Sequence, residues 1–428
     1  MTTSHASRRD DALDAAFLAD FASMSTFGAT AGGGVDRQAG TPEDAQTRTW
    51  LRGLLESRGF RVGYDAIGNQ FALYEAVPGA PYILTGSHLD SQPLAGRFDG
   101  AYGVLASAHA AMRWVDALEQ GGEAPKYNLA VVNWFNEEGS RFKPSMMGSS
   151  VFTGKLELET ALETTDVAGV SVREALEAVS TIGDFEMPEV AGYAEIHVEQ
   201  GRSLEDRELA IGLVDSTWGA VKYDIVVRGD QSHTGAMSYA DRHDALLGAA
   251  RLVVLGREVA EEVSTEETPV IASCGEFTVL PNSPVVIPRE VRMLMDFRSY
   301  DFELLQKADA LLRERWTKIE QEVAVAIEQR ESHSWGANPY PEAGVELARQ
   351  CADDLGLSND RAQTVAGHDS TNMKDLVPTV MLFIPSVEGI SHNERELTKD
   401  EDLVEGVRHL AEVLDRMTRG ALDGERGA

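Results

Sequence analysis

Three histidines and three carboxylates occupy equivalent kinds of place along the chain. His88 closes the apolar run PYILTGSHLDS, and Asp99 follows eleven residues later in GRFDGAYG, where glycines allow tight turns. Glu137 and Glu138 stand side by side after LAVVNWF. His197 ends YAEI, and His392 lies in the loop after TVMLFIP. Imidazoles and carboxylates suit Zn²⁺ and neighbouring divalent ions. Three histidines with two carboxylates exceed what one catalytic zinc takes from protein, and match a pair of metals with one bridging group. Such a pair can hold and activate a single water. Adjacent glutamates point in different directions, so one can ligate while the other handles protons. Taken singly, each residue has a plainer reading: a histidine at a strand end is more often structural, and paired acids are usually a solvated edge. His109, on a helical face, and His409, near the C-terminus, keep that plainer reading. The others share a setting, an apolar run followed by a polar loop beside glycine, and that raises their joint weight.

The elements that must position them form an α/β pattern. Buried strands with ionisable residues at their C-terminal ends are the usual construction of an α/β active site. A helix is expected from Thr41 to a glycine cap at Gly59, a hairpin in FRVGYDAIGNQFALYEA with its turn at Asp65 to Asn69, and a helix in GAYGVLASAHAAMRWVDAL. Between about 215 and 330 the rhythm changes to strands paired with long helices, the plan of a small α+β insert. The expectation is a catalytic di-metal domain with a mixed, largely parallel sheet (1–214 and 331–428) and an inserted dimerisation or lid domain (215–330). A length of 428 residues accommodates both. The formal net charge of −32 argues against nucleic acid and anionic membranes as partners. Cys274 and Cys351 provide no disulfide framework, no apolar run is long enough for a bilayer, and no signal-peptide pattern is seen, so a cytoplasmic location is expected.

The motifs GSHLDSQPLAGRFDGAYGVLA, NEEGSRF, HVEQG, SHTGAM…DRHDAL, GHDS and PSVEGISHNERE resemble those of the M20-type amidohydrolases. The resemblance is strongest to the branch with N-carbamoyl-L-amino-acid hydrolases, β-ureidopropionases and allantoate amidohydrolases, and it covers nearly the whole chain. It implies that His88, Asp99, Glu138, His197 and His392 ligate two divalent ions (Zn or Mn, with Co or Ni possible), Asp99 bridging them. It implies Glu137 as general base and Asp90 as the acid orienting His88. From the insert, it implies His233 as oxyanion stabiliser in a homodimer and Arg298 as holder of a substrate carboxylate. Gln200 corresponds to a polar residue on the substrate side. Where relatives have Asn in an N-V-I-P run, this chain has Val285, and Asn282 lies three residues earlier; Met237-Ser238-Tyr239 and Ala95 depart as well. The expected reaction is hydrolysis of a linear C–N amide bond in a small carboxylate-bearing substrate, an N-carbamoyl amino acid or N-carbamoyl-β-alanine. Ser91-Gln92-Pro93 leans toward the β-ureidopropionase-like group. Allantoate hydrolysis, or an aminoacylase or peptidase activity with the same metal site, is the alternative. A non-catalytic metal-binding dimer is the remote one, disfavoured because base and ligands are all present.

Overall fold

A computed structural model describes residues 7, 9–266, 268–364 and 366–424. The chain divides into two compact units: residues up to Asp215 together with those from Pro339, and Ser216–Asn338.

The first unit is built on a nine-stranded sheet. Its centre is four parallel strands side by side, in the order Asn128–Trp134, Tyr82–His88, Val190–Val198 and Thr379–Ile384. Parallel strands are buried on both faces, which explains why these segments read as continuous apolar runs. Asn128–Trp134, Tyr82–His88 and Thr379–Ile384 are buried along their whole length. The expected hairpin is present as Arg61–Tyr64 and Gln70–Tyr74, paired antiparallel. Its turn is held by the Asp65 carboxylate, which accepts from the N–H groups of Ile67 and Asn69. The helices Ala101–Glu119 and Asp400–Thr418 pack together beside the sheet, and Leu105, Ala108, Ile196, Val407, Leu410 and Leu414 join one core. Each large apolar side chain buried there contributes about 1.5–3 kcal/mol. Gly103 permits the close approach, since a Cβ at that position would lie 2.3 Å from the Ile196 carbonyl oxygen.

The second unit is a four-stranded antiparallel sheet in the order Ala326–Trp335, Gly219–Arg228, Glu290–Ser299 and Ile271–Leu280. Val291, Met293, Met295 and Phe297 alternate into a core with the helices Ala245–Val263 and Phe302–Val323. Asp244 and Asp301 cap those helices, each accepting two backbone N–H bonds. The expected return of the chain at residue 331 falls inside the strand Ala326–Trp335. That strand stays paired with Gly219–Arg228 as far as Trp335, across a register shift between Gln329 and Glu331. It is an exposed edge strand of polar sequence, and the bulge breaks its alternation, so no period-two signal marks it. Among the described residues no helix is long and apolar enough to cross a membrane.

Candidate active site

The C-terminal ends of the four central strands bring His88, Glu137, Glu138, His197 and His392 into one neighbourhood around Asp99. Two groups of potential metal donors result, His88–Asp99–His197 and Asp99–Glu138–His392, each with its donor atoms within 4.8 Å of one another. Asp99 belongs to both. Its Oδ1 lies 3.1 Å from His197 Nε2 and 3.8 Å from His88 Nε2, while its Oδ2 lies 3.1 Å from His392 Nε2. His392 Nε2 is also 3.4 Å from a Glu138 oxygen. A carboxylate turned this way, one oxygen toward each set, is the arrangement two ions sharing a bridge require. Glu137 is not in either group, and its carboxylate lies 3.3 Å from His88 Nε2. The donor chemistry, nitrogen and oxygen without sulfur, fits Zn²⁺, Mn²⁺ and similar ions.

The backbone is strained where these residues emerge. Asn136, Gln200 and His392 have φ values of 53°, 58° and 53°, in the left-handed region that non-glycine residues rarely enter. Gly100 has φ of 62°, and a Cβ there would fall 2.2–2.4 Å from atoms of the His88 ring. Its N–H instead donates to His197 Nε2 at 2.9 Å. The other ring nitrogens are held by carbonyls: His88 Nδ1 at 3.0 Å from the Asp90 oxygen, His197 Nδ1 at 2.8 Å from that of Val198.

Crowded acids dominate the electrostatics. Burial pushes the Glu138 carboxyl up to about 8, with the Asp99 charge adding to it. Glu137 is driven well above the usual carboxylate range by burial and then by Asp369, Glu138, Asp90 and Asp99. Asp90 is pushed to about 7 by burial and the Asp44 charge. Burial works upward on Asp99 too, but its hydrogen bonds with His197 and His392 prevail and hold it well below the usual range. So much buried negative charge is what bound cations would offset.

Several supporting contacts differ from expectation. The Asp90 carboxylate stands 3.8 Å from His88 Nδ1, which meets the Asp90 main-chain oxygen instead. The carboxylate accepts from the N–H groups of Glu137 and Glu138, both at 3.2 Å, and so aims the glutamate pair. The Gln92 side-chain amide donates to Glu138 Oε2 at 3.0 Å and its main-chain N–H to Oε1 at 3.2 Å. Gln200 donates to Asp99 Oδ2 at 2.8 Å. Sequence reasoning missed Glu396, which accepts from the N–H groups of Phe98 and Asp99, and His368, whose ring packs on that of His197 with centroids 4.6 Å apart. Both lie in quoted motifs, which was the available signal. Ala95 pairs with Val35 through two main-chain bonds of 2.9 Å, a role that needs no glycine.

His233, Asn282 and Arg298 lie in the second unit. His233 Nδ1 accepts from the N–H groups of Gly235 and Ala236 at 3.0 and 3.1 Å, so the neutral ring carries its proton on Nε2 and presents a donor there. Arg298 pairs with Asp296 at 2.9 Å on the sheet face opposite the helices. Asn282 is exposed, as are Val285 and Tyr239. Val286, next to Val285, pairs with His233.

The profile of Peptidase family M20/M25/M40 matches residues 84–416, and the chain belongs to that family. A Mycolicibacterium smegmatis protein named only as a hydrolase is 58% identical over 97% of this chain and 95% of its own. An N-carbamoyl-L-amino-acid amidohydrolase of Rhizobium meliloti is 33% identical over 87% of this chain and 89% of its own. The crystal structure of an amidase of the hydantoinase/carbamoylase family from Burkholderia vietnamiensis superposes with a TM-score of 0.86 at 33% identity, covering 96% of this chain and 98% of that one. The protein is accordingly an amidohydrolase of the carbamoylase/allantoate amidohydrolase type, acting on C–N bonds other than peptide bonds.

Proposed function

We propose that this enzyme hydrolyses the carbamoyl group of an N-carbamoyl amino acid or N-carbamoyl-β-alanine, giving the amino acid, CO₂ and ammonia. The observation that carries the reading is Asp99 shared between two donor groups with Glu137 beside them. Two divalent ions bound there would supply Lewis acidity and make a water more acidic. His88, Asp99 and His197 would hold one ion, and Asp99, Glu138 and His392 the other. Glu137 takes the water's proton and passes it to the departing nitrogen. Its elevated proton affinity suits the second half of that task, and cations nearby bring it down for the first. His233 offers its Nε2–H to the carbonyl oxygen as charge develops there, and Arg298 pairs with the substrate carboxylate.

The substrate preference rests on the Rhizobium relative and on Val285. A side-chain amide at 285 would offer polar substrate groups a hydrogen-bonding partner that valine does not. Valine suits a substrate less polar at that point, which favours β-carbamoyl acids over allantoate. The deciding experiment measures ammonia release and kcat/KM for N-carbamoyl-β-alanine, N-carbamoyl-L-methionine, allantoate and N-acyl amino acids in wild type and Val285→Asn. Ammonia from the carbamoyl acids, with allantoate poor, is expected. Acid release without ammonia, or allantoate as best substrate, overturns the reading.

A homodimer formed through the second unit is part of the same proposal. Leu246, Leu247 and Val254 are exposed on one of its helices, and Ile271 and Phe277 on its edge strand, apolar surface that a second copy would cover. Mixing Glu137→Gln with His233→Ala subunits should restore activity if each site draws His233 from the partner. A fully active monomer in sedimentation argues against it.

A further inference from the structure

We propose that Glu396 is a positioning residue for the second ion, setting the distance between Asp99 and His392. The inference rests on the two-ion reading above. The two donor groups are held in different ways. His88 and His197 are almost wholly buried, and a main-chain carbonyl meets Nδ1 of each ring. The His392 side chain is 49% exposed, on a residue with φ of 53°. Among the described residues no main-chain carbonyl holds its ring in that way. Glu396 ties its loop to the Asp99 turn, alongside Ser391 and Gln200, whose side chains meet the Asp99 carboxylate itself.

One oxygen of the buried Glu396 carboxylate accepts both main-chain N–H groups of the Asp99 turn, Phe98 at 2.9 Å and Asp99 at 3.0 Å. The other accepts the Ser391 hydroxyl at 2.9 Å, on the residue just before His392. Ser391 Oγ is also 3.1 Å from Asp99 Oδ2, so its single proton is shared between the two acids. The Glu396 N–H bonds back to the Asn393 carbonyl at 2.9 Å, which keeps the segment from 392 to 396 a closed turn. Gly96 leaves the space for all this: a Cβ there would lie 2.0 Å from Glu396 Oε2. A single carboxylate thus fastens the RFDG loop to the SHNERE loop. Its oxygens are committed to protein donors, and it belongs to neither group of potential metal donors. Its loss loosens His392 relative to Asp99, while the carbonyl contacts that hold the His88 and His197 rings do not involve it.

The test uses full-length, Zn²⁺-loaded protein titrated with a graded chelator. Ions per chain are counted by emission spectroscopy, and the melting of the metal-free chain is recorded separately. Wild type should release two ions. Glu396→Ala should release one at least about tenfold more readily, the usual scale for losing a residue that orients a ligand, while the other is held as before. Glu396→Gln, whose amide oxygen still accepts both N–H groups, should stay near wild type, and Ser391→Ala should fall between. The inference is overturned if Glu396→Ala keeps both ions as tightly as wild type or loosens both alike. It is also overturned if Glu396→Gln behaves like the alanine variant, or if only melting changes. A wild type holding fewer than two ions would remove the two-ion reading itself, and this inference with it.

Discussion

Asp99 carries more of the site than any other side chain, because each of its oxygens faces a different ligand set. Glu137, adjacent to Glu138 in sequence, has the separable task in the proposed mechanism, and its variant separates binding from chemistry. Glu137→Gln should retain both ions, counted by emission spectroscopy, and lose about 10²–10⁴ in kcat, the range for removing a general base. Near-normal turnover would mean the roles of the two glutamates are misassigned. At this scale the two groups of potential donors were legible because metal donors belong to few residue types. The supporting contacts were not. Asp90, Gln92 and Glu396 act wholly or partly through main-chain N–H or C=O groups, which every residue possesses, so nothing in the sequence pairs them with their targets. The motif His-x-Asp suggested a carboxylate on the imidazole, and the carboxylate turned instead to the next strand's glutamates.

The helix Ala101–Glu119 begins directly after Gly100, without a side-chain cap, and that junction is where an element limits the chemistry. Gly100 must be left-handed and clear the His88 ring. Gly100→Ala forces both a strained φ, costing about 1–3 kcal/mol, and displacement of the ring. We expect unchanged helix content in far-ultraviolet circular dichroism, a lower Tm, and loss of the ion held by His88 and His197. A variant binding both ions normally would show that the loop has room to move. The four central strands were readable because burial on both faces leaves apolar runs with polar ends. The strand Ala326–Trp335 was not, since an exposed edge with a bulge carries neither signal.

Over the molecule as a whole, charge sets the behaviour without metal. Asp90 and Glu396 are pushed by burial to about 7 and Glu138 to about 8. His392 is raised to about 9, chiefly by its hydrogen bond to Asp99; His197 reaches about 9 because that contact outweighs burial. Unfolded, the acids titrate near 4 and the histidines near 6.5. Through these groups the folded metal-free chain binds more protons than the unfolded one between about pH 4 and 9, so they stabilise it at low pH and cease to as pH rises through that window; His88, His368 and His409, lowered by burial, offset part of this below about pH 6.5. A net charge of −32 adds self-repulsion in the same direction. The Tm of chelator-treated protein should fall from pH 5 to pH 8, and the gain on adding Zn²⁺ should grow over the same range, as protons stop competing for the ligands. Melting at three pH values, with and without metal, checks this; a metal-free chain more stable at pH 8 than at pH 5 contradicts it.

The chain leaves the catalytic unit after Asp215 and re-enters it at Pro339, and the Tyr340 N–H bonds the Asp215 carbonyl at 2.8 Å. The two ends of the excursion are therefore neighbours, and in topological terms everything from Ser216 to Asn338 is one large loop. A loop whose ends already meet can be exchanged at little entropic cost, because closure depends only weakly on what lies between. The insert is thus a cassette: its 123 residues could give way to a short glycine linker, or to a sibling's insert, with the chain ends that frame Asp99 and its neighbours still joined.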